Sequence, residues 1–144
     1  MDPLLVGRRL ELIAKYLETL REFQSVTRYD FLNTFRDQVA VERLLELMIQ
    51  SALDINKHIL VSRYQVHPKT NESCFLEAGR NGIISTELAQ KISRSAKMRN
   101  ILAHKYEDID PEVVYTAISK ALQQYPLYIR QVSDYLNSLE VDNG

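Results

Sequence analysis

Residues 37–59 read DQVAVERLLELMIQSALDINKHI, a stretch in which apolar side chains recur every three or four positions. This spacing places them along one face of an α-helix. The apolar face is wide, which indicates contact with more than one neighbouring element, and it predicts a helix from near Asp30 to about Ser62. The stripe consists of Leu45, Met48, Ala52, Ile55 and Ile59, broadened by Leu44, Leu47 and Leu60.

The same period extends on both sides of this stretch. It predicts a first helix over residues 3–24. Pro68 marks a break, because proline cannot donate a backbone hydrogen bond, and a short helix over residues 72–78 follows. Gly79 or Gly82 ends this helix, since glycine readily adopts the left-handed conformation of a helix cap. The stripe of the first helix consists of Val6, Leu10, Ile13, Leu17 and Leu20.

Two further helices complete the chain. The first carries Leu88, Ile92 and Leu102, and its N-terminal cap is Ser85 or Thr86.

The last helix has the clearest start in the sequence. Asp110 is in the cap position, Pro111 in the first helical position and Glu112 in the first turn, where a negative charge suits the helix dipole. Pro126 is expected to kink this helix, because its ring removes one hydrogen bond and crowds the preceding turn. The sequence therefore predicts an all-α bundle of four main helices and one short helix, forming a single domain over residues 1–144.

The composition limits the class of protein. The 144 residues include 18 basic and 19 acidic side chains, so the protein does not act by being basic throughout. The single cysteine, Cys74, cannot form an intrachain disulfide or a cysteine-based metal site. The N-terminus, MDPLLVGRRLEL, lacks the layout of a signal peptide, and no stretch approaches the roughly 20 apolar residues of a membrane span. A cytoplasmic protein with no membrane partner is expected.

Positive charge is nevertheless concentrated in residues 88–106, LAQKISRSAKMRNILAHKY, which contain no Asp or Glu. The lysines of this segment could form an ordinary solvated face. Alternatively, the segment could attract a polyanion, each phosphate contact adding salt-dependent affinity. In that interpretation Arg94, Lys97 and Lys105 are the candidate RNA-binding residues.

Within this segment, residues 99–106 (RNILAHKY) place Arg99 five positions before His104 and Tyr106 two positions after it. The Arg guanidinium matches phosphate oxygens and could stabilise the charge of a pentavalent transition state. The His imidazole could take a proton from a ribose 2′-hydroxyl or give one to the leaving 5′-oxygen. Cleavage of this kind needs neither a metal ion nor a cofactor. Because it uses the ribose 2′-hydroxyl, its substrate is restricted to RNA.

The geometry of this pair leaves two alternatives. On a straight helix Arg99 and His104 would point roughly 140° apart. Either the helix ends near His104, or two copies of the segment meet and share a site. Asn100 would lie one turn before His104 on the same face.

RNILAHKY resembles the R-x4-H-x-Y motif of the HepT toxins, a branch of the HEPN (higher eukaryotes and prokaryotes nucleotide-binding) superfamily. The resemblance also covers DQVAVERLLELMIQSALDINKHI, GIISTELAQKI and YEDIDPEVVYTAI, and thus most of the chain. It implies a HEPN-type helical bundle, usually homodimeric, that acts as a metal-independent endoribonuclease with its site in a cleft at the dimer interface.

The resemblance also assigns residues. It makes Arg99 and His104 the catalytic pair and places Asn100 at the polar position after the Arg, where it could orient His104 or the phosphate. Tyr106 matches the tyrosine that the antitoxin MntA, a minimal nucleotidyltransferase, modifies with AMP. Added AMP would put bulk and negative charge beside the cleft and repel RNA.

Two functional classes remain open at this stage. One is an RNA-cleaving toxin that a nucleotidyltransferase partner neutralises. The other is a non-catalytic subunit that binds nucleotide or docks that enzyme, with Arg99 and His104 contacting phosphate. Outside the motif, His58 and His67 are expected to be structural or exposed, and Cys74 to be a small core residue.

Overall fold

The computed structural model describes the backbone of residues 1–143 and the side chains of residues 1–105 and 107–140. These residues form seven α-helices and no strand, which confirms the all-α class. A 3-10 turn, Tyr106–Asp108, precedes the last helix. The helices are α1 (Pro3–Arg21), α2 (Arg28–Leu32), α3 (Phe35–Tyr64), α4 (Asn71–Arg80), α5 (Thr86–Ser93), α6 (Ala96–His104) and α7 (Pro111–Asn143).

The first helix follows the sequence pattern closely. Asp2 caps it, because its carboxylate accepts hydrogen bonds from the Leu4 and Leu5 backbone amides. All five side chains of the predicted stripe are buried. The helix ends at Arg21, three residues before the predicted end.

The long second helix of the prediction is two helices in the structure. Thr27 caps α2 by accepting from the Asp30 amide, and the chain leaves helical geometry at Asn33 before α3 begins. The central helix α3 packs against α1, α4, α6 and α7, which accounts for its wide apolar face. It ends where Gln65 adopts a left-handed conformation with φ 55°, just before the predicted break.

Two glycines at the junction between α4 and α5 have different roles. Gly82 has a φ of 75° in the turn after α4, a conformation that side chains rarely tolerate. Of the two glycines proposed to end the helix, Gly79 lies within α4, which continues to Arg80. Instead Gly79 allows close packing, since a Cβ built there would lie 2.6 Å from the Cβ of Ala89.

The predicted helix after Ser85 is also two helices. Ser85 caps α5 as expected by accepting from the Leu88 amide. The chain then turns at Arg94 and Ser95, and the Ser95 hydroxyl donates to the Ile92 carbonyl at 2.7 Å. The prediction of four main helices and one short helix was therefore wrong in number.

The last helix begins as predicted. The Asp110 carboxylate accepts from the Glu112 amide at 3.0 Å, and Pro111 is the first helical residue. The helix continues through Pro126, and the kink stays a prediction. Within the described residues, no helix is both long and apolar enough to cross a membrane.

Candidate active site

The Arg-His motif lies on α6, which ends at His104. Lys105 leaves helical geometry, with φ −127° and ψ 45°, and its amide donates to the Ile101 carbonyl as the last bond of the helix. The Nη1 atom of Arg99 lies 3.4 Å from Nε2 of His104. The helix therefore ends at the motif histidine, and the long Arg side chain spans the angle between the two positions within a single chain.

The tautomer of the imidazole determines how this contact is made. A guanidinium has only donors, so a hydrogen bond from Arg99 to Nε2 of His104 requires a ring whose Nδ1 carries the proton. In the other tautomer the two nitrogens are neighbours without a hydrogen bond.

The two side chains differ in their surroundings. His104 is exposed in the last turn of α6. Arg99 is half-buried, and its Nε is shielded from solvent with no hydrogen-bond partner among the side chains and backbone that the structure describes. A buried donor without a partner costs free energy, so an incoming acceptor near Arg99 would relieve that cost.

Asn100 contacts a different element from the one expected. Its Oδ1 lies 3.4 Å from Nδ2 of Asn71, at the start of α4, rather than against His104. Glu72, the next residue of α4, has an oxygen 3.9 Å from Nζ of Lys97. The first turn of α4 thus contacts two polar residues of α6. Sequence reasoning missed both α4 residues, because they follow a loop break and are far from the motif along the chain.

The candidate RNA-binding cations do not form one cluster around the pair. Lys97 is exposed on α6 and held loosely by its α4 partner, and Lys105 is exposed directly after the helix. Arg94 lies before α6, on the wall of a groove that neither Arg99 nor His104 lines. The structure therefore brings Lys97 and Lys105 to the helix of the pair and places Arg94 to one side.

The proposed modification site is only partly described. The backbone of Tyr106 opens the 3-10 turn, two residues after His104. Its side chain lies outside the described residues.

A comparison with known protein families gives the clearest assignment. The family described as "Ribonuclease HepT-like" matches residues 13–132. The chain belongs to the HepT-like ribonuclease family. This HepT-like chain is 46% identical over 143 residues to a protein of Aphanizomenon flos-aquae named "tRNA nuclease HepT", covering 99% of this chain and 97% of the relative. It is also 22% identical over 96 residues to the "mRNA nuclease HepT" of Shewanella oneidensis, covering 67% and 71% of the two chains.

Solved structures share the fold of the HepT-like chain. A tri-AMPylated Shewanella oneidensis HEPN toxin in complex with an MNT antitoxin matches with a TM-score of 0.81 at 18% identity, covering 93% of this chain and 99% of that one. The cytosolic protein YutE of Bacillus subtilis, of unknown function, matches with a TM-score of 0.80 at 14% identity over 96% and 92% of the two chains. At these identities the likeness establishes the fold alone.

The other candidate residues of the HepT-like chain, two histidines and one cysteine, lie apart from the contact between Arg99 and His104. Nε2 of His58 accepts the Asp2 amide at 2.8 Å and links the start of α1 to α3. His67 is exposed beside Pro68. Cys74 is fully buried, and burial raises the pKa of its thiol to about 11, which makes it a poor nucleophile. No group of three metal-binding side chains occurs among the described residues.

Proposed function

We propose that this HepT-like chain is the toxin of a HEPN/MNT toxin–antitoxin pair and that it cleaves RNA without a metal ion. The observation that carries the proposal is the 3.4 Å contact between Arg99 and His104 in a chain of this family. The contact joins a permanent cation to a group that exchanges protons near neutral pH, and phosphodiester cleavage requires both. In this proposal the protein acts in the cytoplasm, where its RNA substrate is found.

The reaction follows from the positions of the two groups. When a phosphate binds, the Arg99 guanidinium turns from the imidazole to the phosphate oxygens and releases Nε2 of His104. That nitrogen takes the proton of the ribose 2′-hydroxyl, and the 2′-oxygen attacks phosphorus. The bond to the 5′-oxygen breaks, giving a 2′,3′-cyclic phosphate and a 5′-hydroxyl. Arg99 stabilises the charge of the transition state, and Asn100 lies close enough on α6 to assist phosphate binding.

The substrate class is best inferred from the relative of nearly full coverage. That protein is named a tRNA nuclease and shares 46% of its residues with this chain. We therefore expect tRNA to be the RNA that is cleaved. Lys97 and Lys105 are exposed on either side of Arg99 and His104 along the chain and would contact neighbouring phosphates.

The decisive test compares the wild type with His104→Ala and Arg99→Ala. Induction of the wild type should stop growth and cleave tRNA, and each variant should lose about 100-fold or more of the cleavage rate. Purified protein in EDTA should cleave as fast as without it. Equal cleavage by a folded His104→Ala protein would refute the mechanism. Absence of cleavage by the wild type would favour the alternative, a non-catalytic nucleotide-binding or docking subunit.

A second copy of the chain is part of the proposal. The nucleophile and the leaving oxygen lie on opposite sides of phosphorus. A single imidazole is therefore well placed to exchange a proton with only one of them. A homodimer with a composite site would supply a second His104 that, in its imidazolium form, gives a proton to the leaving 5′-oxygen while the first keeps the proton of the 2′-hydroxyl.

This dimer has a quantitative test. If both copies of His104 are needed, an equal mixture of wild-type and His104→Ala chains that has been unfolded and refolded should retain about a quarter of the wild-type activity, the share of dimers with two intact chains. Retention of about half would mean that each chain acts alone.

The proposed control mechanism is AMP transfer to Tyr106 by an MntA-type nucleotidyltransferase. Support comes from the position of Tyr106 two residues after His104 and from the fold shared with a tri-AMPylated HEPN toxin. A Tyr106→Phe protein should be toxic when it is expressed alone. It should also remain toxic when it is co-expressed with an antitoxin that still transfers AMP from ATP. Mass spectrometry that finds AMP only on another tyrosine of the neutralised wild type would contradict the assignment.

A further inference from the structure

A groove of about 820 Å³ lies between the first half of α7 and the junction of α5 and α6. Its volume is within the range of sites that hold small molecules or single groups of larger ligands. Neither residue of the catalytic pair lines it. Apolar side chains from four helices form most of its wall, including Leu45, Ile49, Leu88, Met98, Ala117 and Leu127.

The groove contains a buried polar group without a partner. Tyr125 lines the groove, is 1% exposed, and its hydroxyl makes no hydrogen bond among the described residues. Burial raises the pKa of Tyr125 and the nearby Ser95 hydroxyl opposes that rise, but Ser95 makes no hydrogen bond of normal geometry with the Tyr125 hydroxyl. A neutral tyrosine hydroxyl that lacks a partner beside an apolar groove is suited to a ligand with one polar edge.

The groove carries a small excess of positive charge. Arg94 and Lys120 line it and have no ion-pair partner among the residues that the structure describes. Of the other charged residues of the lining, Glu112 pairs with Arg28 and Lys91 with Glu87, whereas Asp110 caps α7 and keeps its charge. Two unpaired cations therefore face one unpaired carboxylate. An anionic ligand is therefore favoured over a cationic one.

The groove also lies close to the catalytic pair. Met98, part of its wall, directly precedes Arg99. Nine residue steps separate Ser95 from His104, which corresponds to about 13 Å along α6. Successive nucleotides of one strand are roughly 3.4 Å apart when stacked and further apart when unstacked, so a few nucleotides span this distance.

We propose that this groove receives an unpaired base of the RNA substrate, a few nucleotides from the cleaved bond, with Tyr125 reading its polar edge and Arg94 and Lys120 holding the adjoining phosphates. The inference rests on the proposed ribonuclease function and names a subsite for it. A base has an apolar face for the walls and hydrogen-bonding groups at its edge for the hydroxyl, and its phosphate matches the cations. The helix face of a second copy would satisfy the walls but not the hydroxyl or the charges.

The test measures binding separately from cleavage. In a His104→Ala background, a short fluorescein-labelled single-stranded RNA is titrated by anisotropy. Tyr125→Phe should weaken binding about three- to tenfold, the value of one hydrogen bond. Arg94→Gln and Lys120→Gln should each weaken it and lower the salt dependence by about one unit.

Matched controls come from exposed cations elsewhere on the chain. Arg8 and Lys15 on α1 are exposed and outside the groove, so Arg8→Gln and Lys15→Gln should change affinity less than twofold. A fully paired duplex of the same sequence offers no unpaired base, and Tyr125→Phe should leave its binding unchanged. An equal loss on the duplex would overturn base insertion.

The outcomes separate this inference from the proposed function. If the wild type cleaves RNA but Tyr125→Phe and Arg94→Gln bind like the parent, the subsite is refuted and the nuclease stands. If the wild type cleaves nothing while these variants lose binding as expected, the nuclease is refuted and the subsite stands. If Leu127→Asp turns dimers into monomers without weakening RNA binding per chain, the groove is an interface between copies, and the inference is overturned.

Discussion

Tyr125 and Tyr128 lie on the same buried face of α7, yet their hydroxyls have opposite surroundings. Both side chains are almost fully buried, with 1% and 0% of their surface exposed. The Tyr128 hydroxyl lies 3.0 Å from the Ala52 carbonyl oxygen and 2.6 Å from Oδ1 of the Asn56 side chain. The Tyr125 hydroxyl has no hydrogen-bond partner in the part of the chain that the structure describes. Replacing each tyrosine by phenylalanine removes only the hydroxyl oxygen. The two substitutions therefore separate the contribution of a buried hydrogen-bond network to stability from that of a buried ring.

The expected magnitudes follow from these contacts. Tyr128→Phe removes the hydroxyl bonds and leaves the fully buried Asn56 without its partner, which should lower the free energy of unfolding by about 1–3 kcal/mol. Tyr125→Phe removes a buried polar atom that gains nothing from the protein, so the change should be within about 0.5 kcal/mol or stabilising. Both variants keep the ring and leave no large cavity.

Urea denaturation followed by far-ultraviolet circular dichroism would measure both changes, with the slope of each transition checked against that of the wild type. A double variant, Tyr128→Phe with Asn56→Ala, should be more stable than the sum of the single changes predicts, because each single change already breaks the same network. Equal destabilisation by Tyr125→Phe and Tyr128→Phe would refute the reasoning, since it would show that a buried hydroxyl with hydrogen-bond partners contributes no more to stability than one without them.

Three further changes test the packing, the titration and the chemistry. Gly79→Ala should destabilise by about 1–3 kcal/mol in urea, because the added methyl meets α5 at 2.6 Å, whereas Gly7→Ala in the open middle of α1 should stabilise by roughly 0.4–1 kcal/mol. Burial and the Tyr64 hydroxyl raise the pKa of Tyr135 to about 12, so the folded state keeps a proton that the unfolded chain releases near pH 10. The contribution of Tyr135 to stability should thus be complete below about pH 10 and lost as the pH rises toward 12. Denaturation curves recorded at each pH should show a smaller loss of stability for Tyr135→Phe than for the wild type. Arg99→Lys keeps the charge but not the two parallel donors, and it should lower the RNA cleavage rate roughly 100-fold with little change in the urea midpoint.

The helices that the sequence predicted well are those with long apolar stripes. Every stripe residue of α1 is buried, as are the five of α3, because periodic burial is a property of one segment against its neighbours. The five-residue α2 was missed, since it is too short to show a period. The turn at Arg94 and Ser95 was missed because it uses neither Gly nor Pro, only a serine hydroxyl bonded to a carbonyl one turn back.

The site was predictable in its residue types but not in its geometry. The 140° between Arg99 and His104 describes the direction of Cβ atoms, whereas the guanidinium lies several bonds farther out and can turn along the helix. The resulting 3.4 Å contact depends on rotamers that spacing does not encode. The contacts of Asn71 and Glu72 with α6 depend on how α4 packs, which the local sequence does not reveal.

The short length of α6 gives its two motif residues different surroundings. Ala96 and Leu102 are buried in the core and Met98 packs against it, while polar contacts from α4 hold the outer face of the helix. Arg99 lies mid-helix with Nε shielded from solvent, so packing restrains the base of its guanidinium while Nη1 faces His104. His104 lies exposed in the final turn. The proposed reaction therefore joins a partly anchored phosphate-binding group to an accessible proton acceptor within one nine-residue helix.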